Sequence, residues 1–131
     1  MHVAETSTVS TAWGVRADGR TLTFGGSAAG WTAEPDIAER LLEVRDVGNA
    51  RVGWKFIDTV SQRIESYDLF GKLQSIAGPD GHVVQLTYST ASTPSTIAPW
   101  SDLLITVTDA FGHQLHFAYD AFGRMRTMRD P

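Results

Sequence analysis

The side chains that could do chemistry in this chain include four histidines, a serine among small residues, and aspartates in a repeated phrase. His113 and His116 are three residues apart, and histidine pairs are frequent metal ligands. On a β-strand this spacing directs the two rings to opposite faces, so they cannot share a metal ion. His82 and His113 each follow a turn glycine and could be neighbours, but we identify no carboxylate at a fixed spacing from them. We predict no metal site.

Two patterns resemble catalytic arrangements. The stretch GGSAAG, residues 25–30, places Ser27 as in a Gly-x-Ser-x-Gly nucleophile elbow. An elbow joins a strand to a helix, whereas this stretch follows a strand predicted to end at Phe24 and reads as a hairpin loop. Asp68 and Asp120 could be a pair of catalytic carboxylates, but they recur at equivalent repeat positions and suit turn chemistry. We predict no catalytic residues and no cofactor.

The tryptophans offer a different chemistry, the stacking of sugar rings. Trp54 alternates with Phe56 on a predicted strand, so both are expected in the core. Trp100 lies in a proline-containing stretch and is the candidate ligand-facing aromatic. A carbohydrate-binding, cell-wall-binding or adhesin module is therefore the alternative function.

Length, charge and composition further narrow the possible domain organisation and classes of function. The 131 residues are enough for one domain with a core. The formal net charge of -4 and the scattered basic residues argue against nucleic-acid binding. The chain has no cysteine, which excludes disulfides and thiolate metal sites. It also shows neither an apolar run of about 18 residues nor a signal-peptide pattern.

Strands must position these side chains, because apolar residues alternate with period two in RTLTF (20–24), HVVQLTY (82–88) and HQLHFAY (113–119). Each run follows a glycine, as in hairpins whose turns need a positive φ angle. The turn glycines are Gly19, Gly81 and Gly112. Alignment on them gives each strand one apolar face, made of Leu22, Phe24, Val84, Leu86, Tyr88, Leu115, Phe117 and Tyr119. The sequence thus predicts an all-β fold, an antiparallel meander of hairpins.

Two segments depart from that pattern. PDIAERLLEV, residues 35–44, fits a capped helix or a strand over 40–45, and we favour the strand. The Ser/Thr/Pro-rich stretch 89–102 reads as a surface loop, because Pro94 and Pro99 interrupt any regular strand.

One phrase occurs twice, as SYDLFGKL at 66–73 and AYDAFGRM at 118–125. We interpret the tyrosine as the anchor of a strand end, the aspartate as an acceptor for backbone N–H groups, and the glycine as a left-handed turn residue. The structural motif comprises Tyr67, Asp68, Gly71 and Leu73 in the first copy, and Tyr119, Asp120, Gly123 and Met125 in the second.

These residues resemble the Tyr-Asp-x-x-Gly-Arg-Leu signature of the YD-repeat, or RHS (rearrangement hotspot) repeat, family. The stretch Asp18 to Phe24, and Gly53 to Phe56 leading into Tyr67-Asp68, is similar to the segment that opens such repeat regions. The resemblance covers roughly residues 15 to 131. It implies a spiralling sheet of hairpins, a partial shell, from a bacterial polymorphic toxin or wall-associated protein that is secreted or displayed at the cell surface.

The resemblance also implies partners, namely neighbouring repeats of a longer parent chain and its C-terminal toxin or cargo. We predict a lead-in over residues 1–14 and a repeat segment over 15–131. Asp130-Pro131 matches the position of Gly78-Pro79, as if another repeat followed. We therefore expect a fragment with exposed sheet edges, which could also pair with a second copy of the chain. The family's self-cleaving aspartate region has no match, and we predict that the segment is not an enzyme.

Overall fold

The structure, a computed structural model, describes residues 2–5, 10–16, 18–27, 30–33 and 38–131. All regular secondary structure in these ranges is β-strand. The chain divides into two compact units, residues 1–79 and 80–131. The strands are β1 His2–Glu5, β2 Ser10–Val15, β3 Thr21–Ser27, β4 Gly30–Ala33, β5 Arg40–Arg45, β6 Arg51–Asp58, β7 Arg63–Asp68, β8 Leu73–Ala77, β9 Val83–Tyr88, β10 Leu104–Thr108, β11 Gln114–Tyr119 and β12 Met125–Arg129.

In the first unit, strands that follow one another in sequence are neighbours in space. β1 to β4 form an antiparallel sheet in chain order, and β5 to β8 form a second antiparallel run, also in chain order. The pairing sets Ala12 opposite Phe24 and Trp54 opposite Tyr67. Short hairpin connections of this kind suit antiparallel neighbours.

The core of the first unit lies between these two groups of strands. Phe24 of β3 and Phe56 of β6 meet edge to face, with ring centroids 6.1 Å apart. Trp54 contacts Trp31 in a similar geometry at 5.1 Å. Such aromatic pairs are stabilised beyond their buried area. The buried cluster consists of Ala12, Leu22, Phe24, Leu41, Trp54 and Phe56.

The second unit is a four-stranded antiparallel meander with much less burial. β9, β10, β11 and β12 pair in chain order. Its apolar face, with Val84, Leu86, Leu115 and Phe117, is only partly covered. The buried residues of this unit are Ser89 and Ala98, both in the long connection between β9 and β10.

The fold class predicted from the sequence is confirmed, and two local expectations are now resolved. Residues 40–45 are strand β5, as we favoured. The expectation that a strand ends at Phe24 and that GGSAAG forms a loop is wrong in part, because β3 continues to Ser27 and β4 begins at Gly30. Residues 28–29, which include Ala29, lie outside the described ranges. The boundary that we placed after residue 14 falls within β2.

Candidate functional site

One hairpin turn is repeated along the chain, and it is the clearest recurring feature of the molecule. In the β7–β8 turn, the Gly71 N–H donates to the Asp68 carbonyl at 3.1 Å, and the Asp68 N–H donates to the Lys72 carbonyl at 2.9 Å. The same two bonds close the turns that begin at Arg16, Asp46, Asp109 and Asp120. Each turn spans five residues, from the first residue named to the residue four positions later. Its fourth residue has a positive φ, between 64° and 86°; these residues are Gly19, Asn49, Gly71, Gly112 and Gly123. A left-handed residue at this place is typical of hairpins.

This turn explains the spacing of the tyrosine phrase. Tyr67 pairs across the hairpin with Leu73, and Tyr119 pairs with Met125. In both hairpins the register shifts next to the tyrosine, as at a β-bulge. The tyrosine and the apolar residue six positions later are therefore cross-strand partners, and the aspartate and glycine between them build the turn.

The aspartate holds the turn through its side chain. Asp68 Oδ1 accepts the Phe70 N–H at 3.0 Å and the Lys72 N–H at 2.8 Å. Asp120 Oδ1 accepts the Phe122 N–H at 2.9 Å and the Arg124 N–H at 3.0 Å. These bonds satisfy donors that the turn leaves without strand partners.

A third Asp-x-Phe-Gly turn lies at residues 109–113, and sequence reasoning missed it. Asp109 Oδ1 accepts the Phe111 N–H at 2.8 Å and the His113 N–H at 2.9 Å. The sequence Asp-Ala-Phe-Gly there repeats the pattern at 120–123. The signal was visible, but Thr108 replaces the tyrosine, so only Gly112 was recognised as a turn residue.

The electrostatics of these aspartates favour a structural role. The backbone N–H of Arg124 is the main cause that holds the pKa of Asp120 below its ordinary value. For Asp109, burial acts to raise the pKa, but the bonds from His113 and Phe111 outweigh it and the pKa is lowered. A carboxyl group with a lowered pKa is ionised at neutral pH and is a poor general acid.

Each Asp-x-Phe-Gly turn presents its phenylalanine to solvent. The exposed fractions are 88% for Phe70, 73% for Phe111 and 77% for Phe122. Large apolar side chains at such exposure contribute little to the stability of their own hairpin.

Trp100 packs on the β11–β12 turn. A Cβ atom at position 123 would collide with the indole ring of Trp100. Gly123 is therefore required both by its φ of 75° and by this close approach. Trp100 itself remains 53% exposed. The sequence alone proposed a ligand-facing role for Trp100, and that role stays a prediction.

The connection from 89 to 103 is anchored at several points. The Ser89 hydroxyl donates to the Trp100 carbonyl at 2.8 Å and accepts the Leu103 N–H at 3.0 Å. The Tyr119 N–H donates to the Ile97 carbonyl at 2.8 Å. The Tyr119 hydroxyl donates to the Leu104 carbonyl at 2.7 Å. The loop is thus fixed against β11 by the tyrosine of the repeat.

In the first unit, Tyr67 belongs to a charged network instead. Arg16 donates two hydrogen bonds to Glu65, at 2.7 Å and 2.8 Å, and its guanidinium lies 4.2 Å from the centroid of the Phe56 ring. The Tyr67 hydroxyl donates to Glu65 at 2.6 Å. Burial acts to raise the pKa of Glu65, but the bonds from Arg16 and Tyr67 prevail and lower it. Burial and Glu65 together raise the pKa of Tyr67.

A second acidic residue of the first unit, Glu43, has a similar structural role. It accepts the Trp31 indole N–H at 2.8 Å and an Arg51 N–H at 2.7 Å, and it also pairs with Arg45. The Arg51 guanidinium lies 4.5 Å from the Trp54 ring centroid. Glu43 therefore links the edge of the aromatic core to neighbouring strands.

His82 and His113, which each follow a turn glycine, lie close to the same aromatic ring. His82 and His113 both contact the Phe111 ring, at centroid distances of 5.0 Å and 6.5 Å. Each has a carboxylate partner, but at a different spacing: Asp80 and Asp109 lie 2.9 Å from the Nδ1 atoms of His82 and His113, two and four residues before them in the chain. Across the described ranges, however, no three His, Asp or Glu side chains are grouped so that they could hold a metal ion.

Comparison with known proteins relates the C-terminal part of the chain to a known repeat. Residues 101–131 match the family model of the RHS repeat. This part of the chain is similar to an RHS repeat. The matched segment runs from the end of the 89–103 connection through β10, β11 and β12, and so contains two of the three Asp-x-Phe-Gly turns. The recognition made from the Tyr-Asp phrase is thereby confirmed. A search of curated proteins finds no match.

The RHS repeat is a structural β-sheet repeat, which agrees with the geometry of the turns. The earlier hairpin β7–β8 has the same bonds, bulge and register as the matched hairpin β11–β12. Within the described residues, no helix has the length and apolar character needed to cross a membrane.

Proposed function

We propose that this chain is a non-catalytic RHS-repeat segment that forms part of a β-shell. The shell encloses or presents a toxin or effector domain in a bacterial protein that is secreted or delivered to the cell surface. The observation that carries the proposal is the recurrence of one turn with the same backbone bonds, in a chain whose residues 101–131 match the RHS repeat. A repeated hairpin extends a sheet by one identical step each time.

The chemistry of the aspartates and histidines supports the structural assignment. Asp68, Asp109 and Asp120 each use a side-chain oxygen to hold their own turn. His82 and His113 pair with turn aspartates. These groups are occupied in stabilising hairpins, so we propose that the segment is not an enzyme.

The partners that follow from this role are neighbouring repeats in a longer parent chain, together with the enclosed domain. An outer strand offers unpaired backbone groups to a further strand of the same sheet. The net charge of -4 gives no support to nucleic acid as a partner.

The test uses the longest natural polypeptide that contains this sequence. It is digested with a low level of protease, and the cleavage rate of any further domain is compared with the rate for that domain produced alone. We expect strong protection in the parent chain and faster cleavage in a Gly123→Val variant. Arg63→Gln, at an exposed strand position, is the control and should leave protection unchanged. Equal cleavage with and without the repeat segment, or the absence of further repeats and domains, would refute the proposal.

The alternative, a carbohydrate-binding module, is supported by the half-exposed ring of Trp100. Stacking of a sugar on this ring should change the tryptophan fluorescence of the wild type but not of a Trp100→Phe variant. Titration with soluble cell-wall glycan fragments is the measurement. A signal that persists in the Trp100→Phe variant, or no signal in the wild type, would exclude Trp100 as a sugar platform.

A further inference from the structure

The outer edge of β12 has no strand partner among the residues that the structure describes. β12 is the last strand in the order of its sheet and pairs only with β11. In the described ranges, none of its five residues makes a backbone hydrogen bond outside that pairing. All five residues are exposed. A row of backbone N–H and C=O groups is therefore open to an added strand.

The side chains of β12 divide between the two faces of the sheet. Directly opposed residues of an antiparallel pair share a face, and successive residues of one strand alternate between faces. Met128 is paired with Phe117, so it lies on the apolar face to which Phe117 belongs. Arg129, the next residue, lies on the opposite face. The outer strand thus presents an apolar group on one face and a cation on the other.

The arginines of this strand have no carboxylate partner in the described part of the chain. Neither Arg126 nor Arg129 takes part in an ion pair there. Arg126 donates to the Thr96 carbonyl at 3.0 Å, which leaves its positive charge without a counter-ion. By contrast, Arg63 of β7 has an acidic cross-strand partner, Asp58 of β6. The open edge of β12 therefore lacks the negative charge that a partner strand could supply.

We propose that β12 binds an extended acidic strand with alternating side chains, an apolar residue opposite Met128 and a carboxylate opposite Arg129. Charge favours an acidic partner over a basic one, because like charges directly opposite each other destabilise a strand pair. Alternation favours a partner with one apolar and one acidic face, since the two faces of β12 differ in the same way. The inference rests on the outer-strand role in the proposed function and names the chemistry of the strand that is accepted there.

The experiment is an NMR titration of the ¹⁵N-labelled chain, at low salt and low protein concentration, with a short capped peptide of alternating valine and glutamate. Matched peptides carry glutamine or lysine in place of glutamate, or hold the same valines and glutamates in separate blocks. Arg129→Glu reverses the charge at the proposed contact. Arg40→Glu, at an exposed strand position of the first unit, is the control variant, because it changes the net charge by the same amount.

We expect amide shifts centred on β12, and a dissociation constant for the glutamate peptide at least about threefold lower than for the glutamine peptide, as for a cross-strand ion pair. The lysine peptide and the block peptide should bind more weakly than the glutamate peptide. Arg129→Glu should abolish the preference for glutamate, whereas Arg40→Glu should retain it. Added salt should reduce the preference.

The proposal is wrong if the glutamate and glutamine peptides bind equally, if the block peptide binds as tightly as the alternating one, or if the shifts lie outside β12 or do not occur. It is also wrong if Arg129→Glu retains the preference, or if Arg40→Glu abolishes it as well. None of these results would alter the protease protection expected of the shell in the parent chain, so the two proposals can fail separately.

Discussion

At the scale of single residues, two turn glycines with nearly the same backbone angle have different surroundings. Gly112 and Gly123 have φ of 86° and 75°. A Cβ atom at position 112 would meet open space, whereas one at position 123 would collide with the Trp100 ring. A side chain added at position 112 therefore adds only the strain of a left-handed backbone, whereas one added at position 123 must also displace the 89–103 connection.

Gly112→Ala and Gly123→Ala should therefore differ in stability. We expect Gly112→Ala to lower the free energy of unfolding by about 1 kcal/mol, the strain of a left-handed residue with a side chain. Gly123→Ala should cost about 1 to 3 kcal/mol more, since overpacking displaces the indole. Urea denaturation measures both. In a Trp100→Ala background the excess cost should vanish, and an excess that persists would show that the contact with Trp100 is not its cause.

The charged network of Arg16, Glu65 and Tyr67 predicts a dependence of stability on pH. The pKa of Glu65 is lower in the folded chain than its ordinary value, so the unfolded state binds more protons in acid. The contribution of Glu65 to the free energy of unfolding is complete above the pKa that its carboxyl group has in the unfolded chain. It is lost as the pH falls through the pKa of the folded state, roughly from pH 5 downward.

We expect Glu65→Gln to lower the free energy of unfolding at pH 7 by about 1 to 3 kcal/mol, as for a lost hydrogen-bonded charge. The variant should also lose less stability than the wild type between pH 7 and pH 3. Thermal denaturation across that range gives both quantities. Asp18→Asn, at an exposed ion pair, is the control and should have a small effect. Parallel pH profiles for wild type and Glu65→Gln would contradict the assignment.

At the scale of elements, the sequence predicted the strands and hairpin turns, because these depend on residues that are close together in the chain. Alternating apolar residues gave the strands of β3, β9 and β11, and the Tyr-Asp phrase gave the β7–β8 and β11–β12 hairpins. Contacts between distant residues could not be predicted in this way. Arg16 and Glu65 are 49 positions apart, and the fit of Trp100 over Gly123 depends on the path of a loop without regular structure. Neither contact has a periodic signal in the sequence.

The distribution of buried residues predicts which elements open first. β3 and β6 supply Phe24, Trp54 and Phe56 to the core, whereas all five residues of β12 are exposed. Hydrogen exchange should therefore show the strongest protection in β3 and β6 and the weakest in β12. Mass spectrometry of deuterium uptake, at two pH values to verify the exchange regime, measures this. Equal protection in β12 and β6 would mean that the units unfold as one.

At the scale of the whole molecule, β12 is the outer strand through which we expect the chain to associate. It pairs with β11 and is fully exposed, with Met125, Met128 and two arginines among its five residues. An outer strand of this kind offers backbone donors and acceptors to a further strand. In the proposed shell that strand belongs to the next repeat, and in the isolated chain a second copy can supply it.

Pairing of β12 with its own copy would bring arginines of the two chains close together, which opposes association at low salt. We therefore expect light scattering after size exclusion to show a dimer that increases with protein concentration and with added salt, because salt screens the repulsion. Met128→Lys should shift the equilibrium to the monomer, since it adds charge to the pairing strand. Val60→Lys, at an exposed position in the β6–β7 turn, is the matched control and should leave the dimer unchanged. A monomer at all concentrations and salt levels would contradict the prediction that β12 pairs with a second copy of the chain.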